Sequence, residues 1–536
     1  MALQNDIFNA LSYAASRGYR VHPDAFAMLK GLDVNVLKIV QNIISSRNNQ
    51  SYLRQVENSS LIMVEDVKSF LQPKIDEEFL VEQQSQVILD STVQVNTGEG
   101  VEGYTSLFRS RMEKSLRIFS QRPGSKKIVK ISSIKQNSVV SAKLPAHNHI
   151  EERRNVRKSY NHDRENAARF VVAGLLMARR SKKNGLELVI DDYSGSLGAL
   201  AKSEDLKSQA VLLALDQAVM LEVENDGTPW SRDGGGTSGG MLTVKSIVSP
   251  DIPDHIPNKS KSEAYAVLIS DLHIGSKHFM ESEFARFLDW LSSDEDDIVR
   301  KIRFLCLAGD LVDGIGIFPD QDKELVETDA LKQLRRAADL LARVPKHIHI
   351  FMIPGNHDPG RRALPQPALP KVGLEKLYAL DNCTMLGNPA LVELNGVKVL
   401  MYHGQSLDDI IATTPGLSYS RPAEAMKMLL KARHLSPIYG GRTPIAPECE
   451  DMLVITDVPD VLHSGHVHVV DVVRYRSTLI VNSGAWQNQT KFQQTMGITP
   501  TPGIAVVINL ATLELFGKDF NEKSETQAVV MAMQMQ

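Results

Sequence analysis

Tyr265-Ala266-Val267-Leu268-Ile269-Ser270-Asp271-Leu272-His273 passes from an unbroken apolar run into an Asp-x-His pair. A short apolar run of this kind reads as a strand buried on both faces, and the polar pair falls where that strand ends. The pattern recurs downstream. Ile302–Ala308 leads into Gly309-Asp310-Leu311-Val312-Asp313, and His347–Ile353 leads into Gly355-Asn356-His357-Asp358. Val397–Tyr402 leads into His403-Gly404, and Val461–Ser464 into Gly465-His466-Val467-His468. Between the second and third runs, Thr328–Leu341 has apolar residues at helical spacing. Strands alternating with helices predict an α/β sheet covered by helices. Ligands in such sheets gather beyond the carboxyl ends of the strands, so every polar block belongs at that edge.

Asp, Asn and His are oxygen and imidazole donors, and the blocks supply enough of them for two metal ions side by side. Two divalent ions about 4 Å apart clamp a phosphoryl group for in-line attack. Asp271 and His273, alternating along an extended chain, would give two ligands to one metal. Asp310 follows Gly309, where backbone can approach closely, and is the natural bridging carboxylate. Asn356 offers a carbonyl oxygen to the second metal, and His403, His466 and His468 complete the set. His357 is left beside the metals, placed to protonate a leaving group. Any one of these blocks alone would be chance. All of them in order, each behind a strand, point to hydrolysis of a phosphate ester.

The rest of the chain differs in character. Residues 1–72 read as a helical module, with apolar spacing over Asp6–Ala15, Pro23–Lys30 and Asp33–Val40. From 73 to 150 the periodicity fades into Gln, Ser, Asn, Gly and Lys, which predicts a linker of disorder-like composition. Residues 151–255 carry strand candidates at Ala168–Leu176, Glu187–Asp192, Ala210–Leu215, Val219–Val223 and Leu242–Val248, a count that fits an OB-fold β-barrel. The aromatics Phe170, Tyr193 and Trp230 are sparse for a stacking groove, which favours a structural or partner-docking barrel over an autonomous nucleic-acid binder. The Asp233–Gly240 tip reads as a loop, since no Lys-Ser/Thr pair follows its glycines. Residues 256–536 form the α/β domain. Its apolar tail, Gln527–Gln536, reads as a short helix or a frayed end.

With 536 residues there is room for roughly two to four domains. A composition of 43% hydrophobic and 23% charged residues is that of a soluble globular protein. No apolar window is long enough to span a membrane, and Met1–Asp6 lacks the layout of a secretion signal. Cys306, Cys383 and Cys449 lie far apart, which argues against disulfides and Cys-based zinc sites. The net charge of −4 advertises no global affinity for nucleic acid. Arg and Lys are nonetheless dense between Arg109 and Arg180, either a phosphate-binding stretch or a solvated linker. His347 and His349 read as strand packing, His463 lies beside the His466/His468 pair without an assigned role, and Arg361, Arg362 and Arg421 read as either phosphate contacts or solvated surface.

The five blocks resemble the calcineurin-like metallophosphoesterase superfamily, whose pattern runs DxH, GDxxD, GNHD/E, a lone His, then GHxH. The resemblance spans Asp271 to His468 with every motif filled. It implies a phosphoesterase sandwich in which Asp271, His273, Asp310 and His468 hold one metal. Asp310, Asn356, His403 and His466 would hold the other, with His357 as the catalytic histidine and Asp313 and Asp358 orienting the ligands. A helical module, a linker, an OB-like barrel and then a phosphoesterase is the order in the family of small subunits of archaeal D-family DNA polymerases, which this chain also resembles. That resemblance implies a cytoplasmic, nucleoid-associated 3′–5′ exonuclease acting on DNA 3′ ends with two divalent ions, manganese first, magnesium or iron(II) as alternatives. It also implies a large catalytic polymerase subunit as partner, in a heterodimer or larger assembly, with a sliding clamp as a further partner. Related eukaryotic subunits serve as scaffolds with eroded metal motifs, whereas no ligand is missing here. The competing readings are a stand-alone phosphodiesterase or phosphatase and a non-catalytic assembly subunit.

Overall fold

A computed structural model describes residues 2–30, 36–49, 61–62, 64, 66–67, 83–122, 127–134, 169–225, 242–293 and 296–521. The chain divides into two compact units, Met1–Glu82 with Asp294–Arg300, and Gln83–Ser293 with Lys301–Gln536. No helix among the described residues is long and apolar enough to cross a membrane.

The first unit contains helices Ala2–Ser16, Pro23–Lys30 and Val36–Asn49, as the spacing predicts. Ala10 and Ala14, then Val36, Val40, Ile43 and Ile44, bury one stripe of their helices in a shared core with Leu29. A short parallel pair, β1 (Arg20–Val21) and β2 (Leu61–Ile62), accompanies them and has no sequence signal.

In the second unit, β3 (Ser85–Asp90) and a helix over Gly100–Ser120 occupy the segment expected to be a linker. For residues 83–122 and 127–134 that expectation is corrected, while 73–82 and 135–150 lie outside the described residues. The helical period is masked in the sequence because the buried stripe includes polar residues, Arg111 and Ser115, among Leu107, Met112 and Phe119.

The barrel comprises β4 (Arg169–Lys182), β5 (Gly185–Asp192), β6 (Gly195–Ala201), β7 (Ala218–Glu224) and β8 (Leu242–Val248). It closes in the order β4-β5-β6-β8-β7, with β6 and β8 parallel and β7 returning to β4. Alternate residues such as Leu188 and Ile190, or Val219, Leu221 and Val223, fill the interior. The strand expected at Ala210–Leu215 is not one. Residues Glu204–Val211 form a helix whose first turn is capped by the Ser203 hydroxyl. The missing strand is β6, whose Gly-Ser-Leu-Gly-Ala-Leu-Ala lacks β-branched residues. Trp230 and the Asp233–Gly240 tip lie outside the described residues, as does the tail after Asn521.

The α/β region holds two six-stranded sheets. In the first, β9 (Tyr265–Ile269), β10 (Ile302–Ala308), β11 (His349–Ile353) and β12 (Cys383–Met385) are parallel. The second contains β13 (Ala390–Leu394), β14 (Val397–Met401), β15 (Val461–Ser464), β16 (Val470–Tyr475) and β17 (Thr478–Ser483), with β3 on its edge beyond β13. There β14, β15 and β17 run parallel. The antiparallel β18 (Ile504–Asn509) and β19 (Leu515–Asp519) extend the first sheet from β9. Register aligns Leu391, Leu400, Leu462 and Ile480 in one row across the second sheet. That row packs with Leu407 and Ile410 of one helix and Met426, Leu429 and Leu430 of another. The Ser270 and Ser483 hydroxyls, 2.8 Å apart, join the ends of β9 and β17. The strands of both sheets therefore deliver their carboxyl ends to one place.

The Gly100–Ser120 helix binds the barrel to this region. Met112 and Phe119 pack on Ala173, Ala218 and Met220 of the barrel wall, while Leu107 enters the core of the second sheet. Arg111, fully buried between them, donates to Asp451 Oδ2 at 2.8 Å, to the Pro437 carbonyl at 2.7 Å and to the Asp216 carbonyl at 3.2 Å. Asp451 also faces His434 Nε2 at 3.0 Å. Burial opposes its charge, but His434 and Arg111 outweigh that and hold the carboxyl well below its ordinary range. Other basic residues of the Arg109–Arg180 stretch are likewise engaged. Lys114 meets the Asp451 carbonyl, Arg122 the Pro250 and Asp251 carbonyls, and Arg179 the Val211 carbonyl. For Arg111, Lys114, Arg122 and Arg179 these contacts favour a structural role over phosphate binding. Replacing Arg111 with Met strands a buried carboxylate, so R111M should lose about 3–5 kcal/mol of stability. The midpoint of urea unfolding measures this.

Candidate metal centre

The predicted residues meet where the carboxyl ends of β9, β10, β11, β14 and β15 converge. Asp271 and His273 follow β9, Asp310 follows β10, Asn356 and His357 follow β11, His403 follows β14, and His466 and His468 follow β15. The chain around Asp271 and His273 is not extended as expected. Both have positive φ, 54° and 51°, yet His273 Nε2 still comes within 3.9 Å of Asp271 Oδ1. Asp310, His466 and His468 also have positive φ, at 51°, 69° and 63°. Aspartate and histidine enter this region more readily than most residues, and its concentration at one site marks backbone bent to aim side chains inward.

Close approach of the two strand ends needs a missing side chain at Gly355. A Cβ there would overlap the Asp310 carboxylate and amide.

The donor atoms converge in two overlapping groups. In the first, His468 Nε2 lies 3.4 Å from Asp271 Oδ1 and 3.1 Å from His273 Nε2, which is 3.6 Å from Asp310 Oδ2. In the second, His403 Nε2 lies 3.3 Å from Asp310 Oδ2 and 2.9 Å from Asn356 Oδ1, which is 3.0 Å from His466 Nδ1. Asp310 belongs to both. His357 stands beside them, its ring centre 4.7 Å from that of His273.

The surrounding hydrogen bonds fix which imidazole nitrogens are bare. His273 Nδ1 faces Asp313 Oδ1 at 2.9 Å, and His403 Nδ1 faces the Ala308 carbonyl at 2.8 Å. Both partners are acceptors, so each Nδ1 carries the ring proton and each Nε2 presents a lone pair. Those lone pairs point at the same Asp310 oxygen. Three acceptors facing one another in a buried site repel unless a cation lies among them. Protons are one such cation. Burial would lower the His273 imidazole, but the Asp313 hydrogen bond and the Asp310 charge raise it to about 9. Burial likewise opposes the charge on His403, and Asp310 and Asp271 raise it to about 9. Bound metal answers the same demand, and these residues form groups that could hold a metal ion through mixed oxygen and imidazole donors.

Several residues outside the predicted set steer the donors. The Gln493 side-chain nitrogen lies 2.8 Å from His468 Nδ1, and Asp408 Oδ2 lies 3.4 Å from His466 Nε2. Gln487 and Gln321 donate to the Asp313 carboxylate. Asp358, expected to orient ligands, accepts from the Val312 and Gly355 amides at 3.0 and 2.8 Å and so joins the loops after β10 and β11. Burial, then the Asp310 charge, pushes its carboxyl up to about 6. Glutamine amides and lone acids have no motif, so sequence carries no signal for Gln321, Gln487, Gln493 or Asp408. His463 is buried with Nε2 3.0 Å from the Ser483 hydroxyl, His349 meets Thr384, and Arg361 pairs with Glu448. None of the three is in a donor group.

The family profile for the B-subunit of DNA polymerases alpha and epsilon matches residues 266–468, the span that carries all the donors. The DNA polymerase II small subunit of Archaeoglobus fulgidus is 34% identical over 503 residues, 92% of this chain and 93% of that relative. The chain belongs to the family of DNA polymerase II small subunits, those of the archaeal D-family polymerase. A second member of the family, from Pyrococcus furiosus, is 36% identical over 77% of this chain, which spans 63% of that relative's length. A solved structure of Vps29 complexed with zinc, from Entamoeba histolytica, is similar over 48% of this chain and 94% of its own, with 13% identity and a TM-score of 0.26.

Gly355→Ala should force the strand ends apart and cost about 1–3 kcal/mol, as overpacking does. Urea unfolding of the metal-free protein would show the loss.

Proposed function

We propose that this family member is a metal-dependent 3′–5′ DNA exonuclease that works as the small subunit of a replicative polymerase. The observation that carries this reading is Asp310 Oδ2, placed 3.6 Å from His273 Nε2 and 3.3 Å from His403 Nε2, with the Nδ1 atom of each ring held from behind by an acceptor. Asp271, His273, Asp310 and His468 would hold one divalent ion, and Asp310, Asn356, His403 and His466 the other. Manganese is the ion this reading favours, with magnesium or iron(II) as alternatives. When bound, the pair supplies Lewis-acid polarisation of a phosphodiester and activation of water.

The chain's own groups do the rest. His357 donates its main-chain N–H to Asp310 Oδ1 at 2.8 Å, and its Nδ1 lies 2.9 Å from the Asp313 carbonyl. Nδ1 therefore keeps its proton, and Nε2 is the atom that titrates. Desolvation lowers this imidazole below its ordinary value, which makes a protonated Nε2 a ready donor to the departing 3′ oxygen. Asp313 orients both His273, through its carboxylate, and His357, through its carbonyl. The five-stranded barrel, read as an OB-like module, and the first unit would dock a large polymerase subunit, with a sliding clamp as a further partner. A net charge of −4 suits a subunit that relies on such a partner to grip DNA.

With manganese and 3′-labelled single-stranded or mismatched primer DNA, the wild-type chain should release mononucleotides from the 3′ end. His357→Ala should slow this about 10²–10⁴-fold with an unchanged circular dichroism spectrum. Full activity in that variant would refute the role of His357. Hydrolysis of a simple phosphomonoester alone would favour a phosphatase, and inertness an assembly subunit.

Metal binding should also displace protons. His273 and His403, raised to about 9 from 6.5, are protonated at neutral pH when no metal is present, and ligation requires them neutral. Adding manganese to metal-free protein in weak buffer near neutral pH should release about two protons per chain, fewer as pH rises through that raised value. A pH-stat records this, and no release would contradict the ligand assignment.

A further inference from the structure

Phe318 stands out among the residues around the centre. Its side chain is 36% exposed, and its ring centre lies 6.4 Å from that of His357. Ile315, on the same segment, is also exposed. An aromatic ring left partly in water forgoes hydrophobic stabilisation.

This segment is held. The Gly314 amide donates to Gln333 Oε1 at 2.9 Å, and Gln333 Nε2 donates back to the Gly314 carbonyl at 3.3 Å. The Ile317 amide donates to Gln321 Oε1 at 2.9 Å. The Gln321 side-chain nitrogen reaches the Asp313 carbonyl at 2.8 Å and its carboxylate at 3.0 Å. Gly314 has a φ of +72°, and a Cβ there would strike the His357 carbonyl. The segment is thus fixed to the two residues, Asp313 and His357, that order the reacting side of the centre. The exposed Arg362, whose guanidinium lies 3.2 Å from the Gly316 carbonyl, adds positive charge beside it.

We infer that Phe318 is the stacking platform for a nucleobase at the 3′ end of the strand being cut. The inference rests on the hydrolytic reading above and names what that site grips. A phosphodiester at the centre brings its neighbouring base to the rim that Phe318 occupies. Every base has a π face, so an aromatic platform holds an end without regard to sequence. A paired terminus keeps its bases stacked in the duplex, so the platform selects frayed or single-stranded ends. Phe318 is a specificity-determining residue on this account, and the proton transfer remains with His357.

The test compares wild type, Phe318→Ala and Phe318→Trp on two single-stranded oligonucleotides. One carries all its bases, and the other has abasic tetrahydrofuran in the last two positions at its 3′ end. Hydrolysis is followed with manganese, and binding by fluorescence anisotropy with calcium in its place. On the intact oligonucleotide, Phe318→Ala should raise KM and Kd about tenfold, while Phe318→Trp stays near wild type. On the abasic oligonucleotide, wild type and Phe318→Ala should coincide. Equal values for Phe318→Ala and wild type on intact DNA would overturn the inference. An equal loss on both oligonucleotides would also overturn it and assign Phe318 to packing or to a protein contact. Thermal unfolding of each variant checks that the fold is retained. If the base-dependent difference appears in binding and no variant cuts, the platform stands and the hydrolytic reading falls. If wild type cuts and Phe318→Ala matches it, the hydrolytic reading stands and the platform falls.

Discussion

Like-sign crowding around Asp310 is the constraint on which the rest of the structure turns. A carboxylate oxygen and the Nε2 atoms of two imidazoles, each within 3.6 Å of it, meet in a buried site. In low dielectric this arrangement cannot stand alone. Either protons or metal ions must supply positive charge, and the protein is built so that the donors cannot turn away. Two sheets bring strand ends together, Gly355 lets two loops meet without a side chain between them, and Asp313, Ala308 and Asp408 pin the histidines from behind. These features serve one end: they hold the donor atoms facing one another.

That rigidity reaches beyond the centre through the Gly100–Ser120 helix. One stripe of the helix lies on the barrel wall and another enters the core of the second sheet, with Arg111 bonded to carbonyls on both sides. A buried guanidinium that satisfies acceptors from separate segments fixes their spacing more tightly than apolar contact, which tolerates sliding. The barrel is therefore part of the same body as the donor loops.

The donors were legible because a buried strand announces itself as an apolar run, and a polar block at its end has few other reasons to be there. Asp271, His273, Asp310, Asn356, His403, His466 and His468 all converge as that logic requires. What the sequence concealed follows from weaker physics. Ala210–Leu215 is an apolar run too short to separate strand from helix, and the Ser203 cap with Glu204 and Asp205 behind it was the better guide. β6 is made of small residues that the barrel accepts because it is closed, with no propensity to advertise it. The long helix hid its period behind Arg111 and Ser115, polar residues buried with hydrogen bonds, Arg111 through Nε and Nη1 to partners far along the chain. Gln493 and Asp408 depend on the same distant meetings, which pattern alone does not contain.

The left-handed backbone at Asp271, His273, Asp310, His466 and His468 has a consequence for how such a chain can change over time. A residue other than glycine held there is strained by roughly 1–2 kcal/mol, and glycine would relieve it. Glycine would also remove buried hydrogen bonds, such as those that Asp310 and Asp271 accept from the His357 and His466 amides, so relief of strain and loss of bonding oppose each other. The five side chains thus secure, through the bonds they make, the bent backbone that aims them at one another.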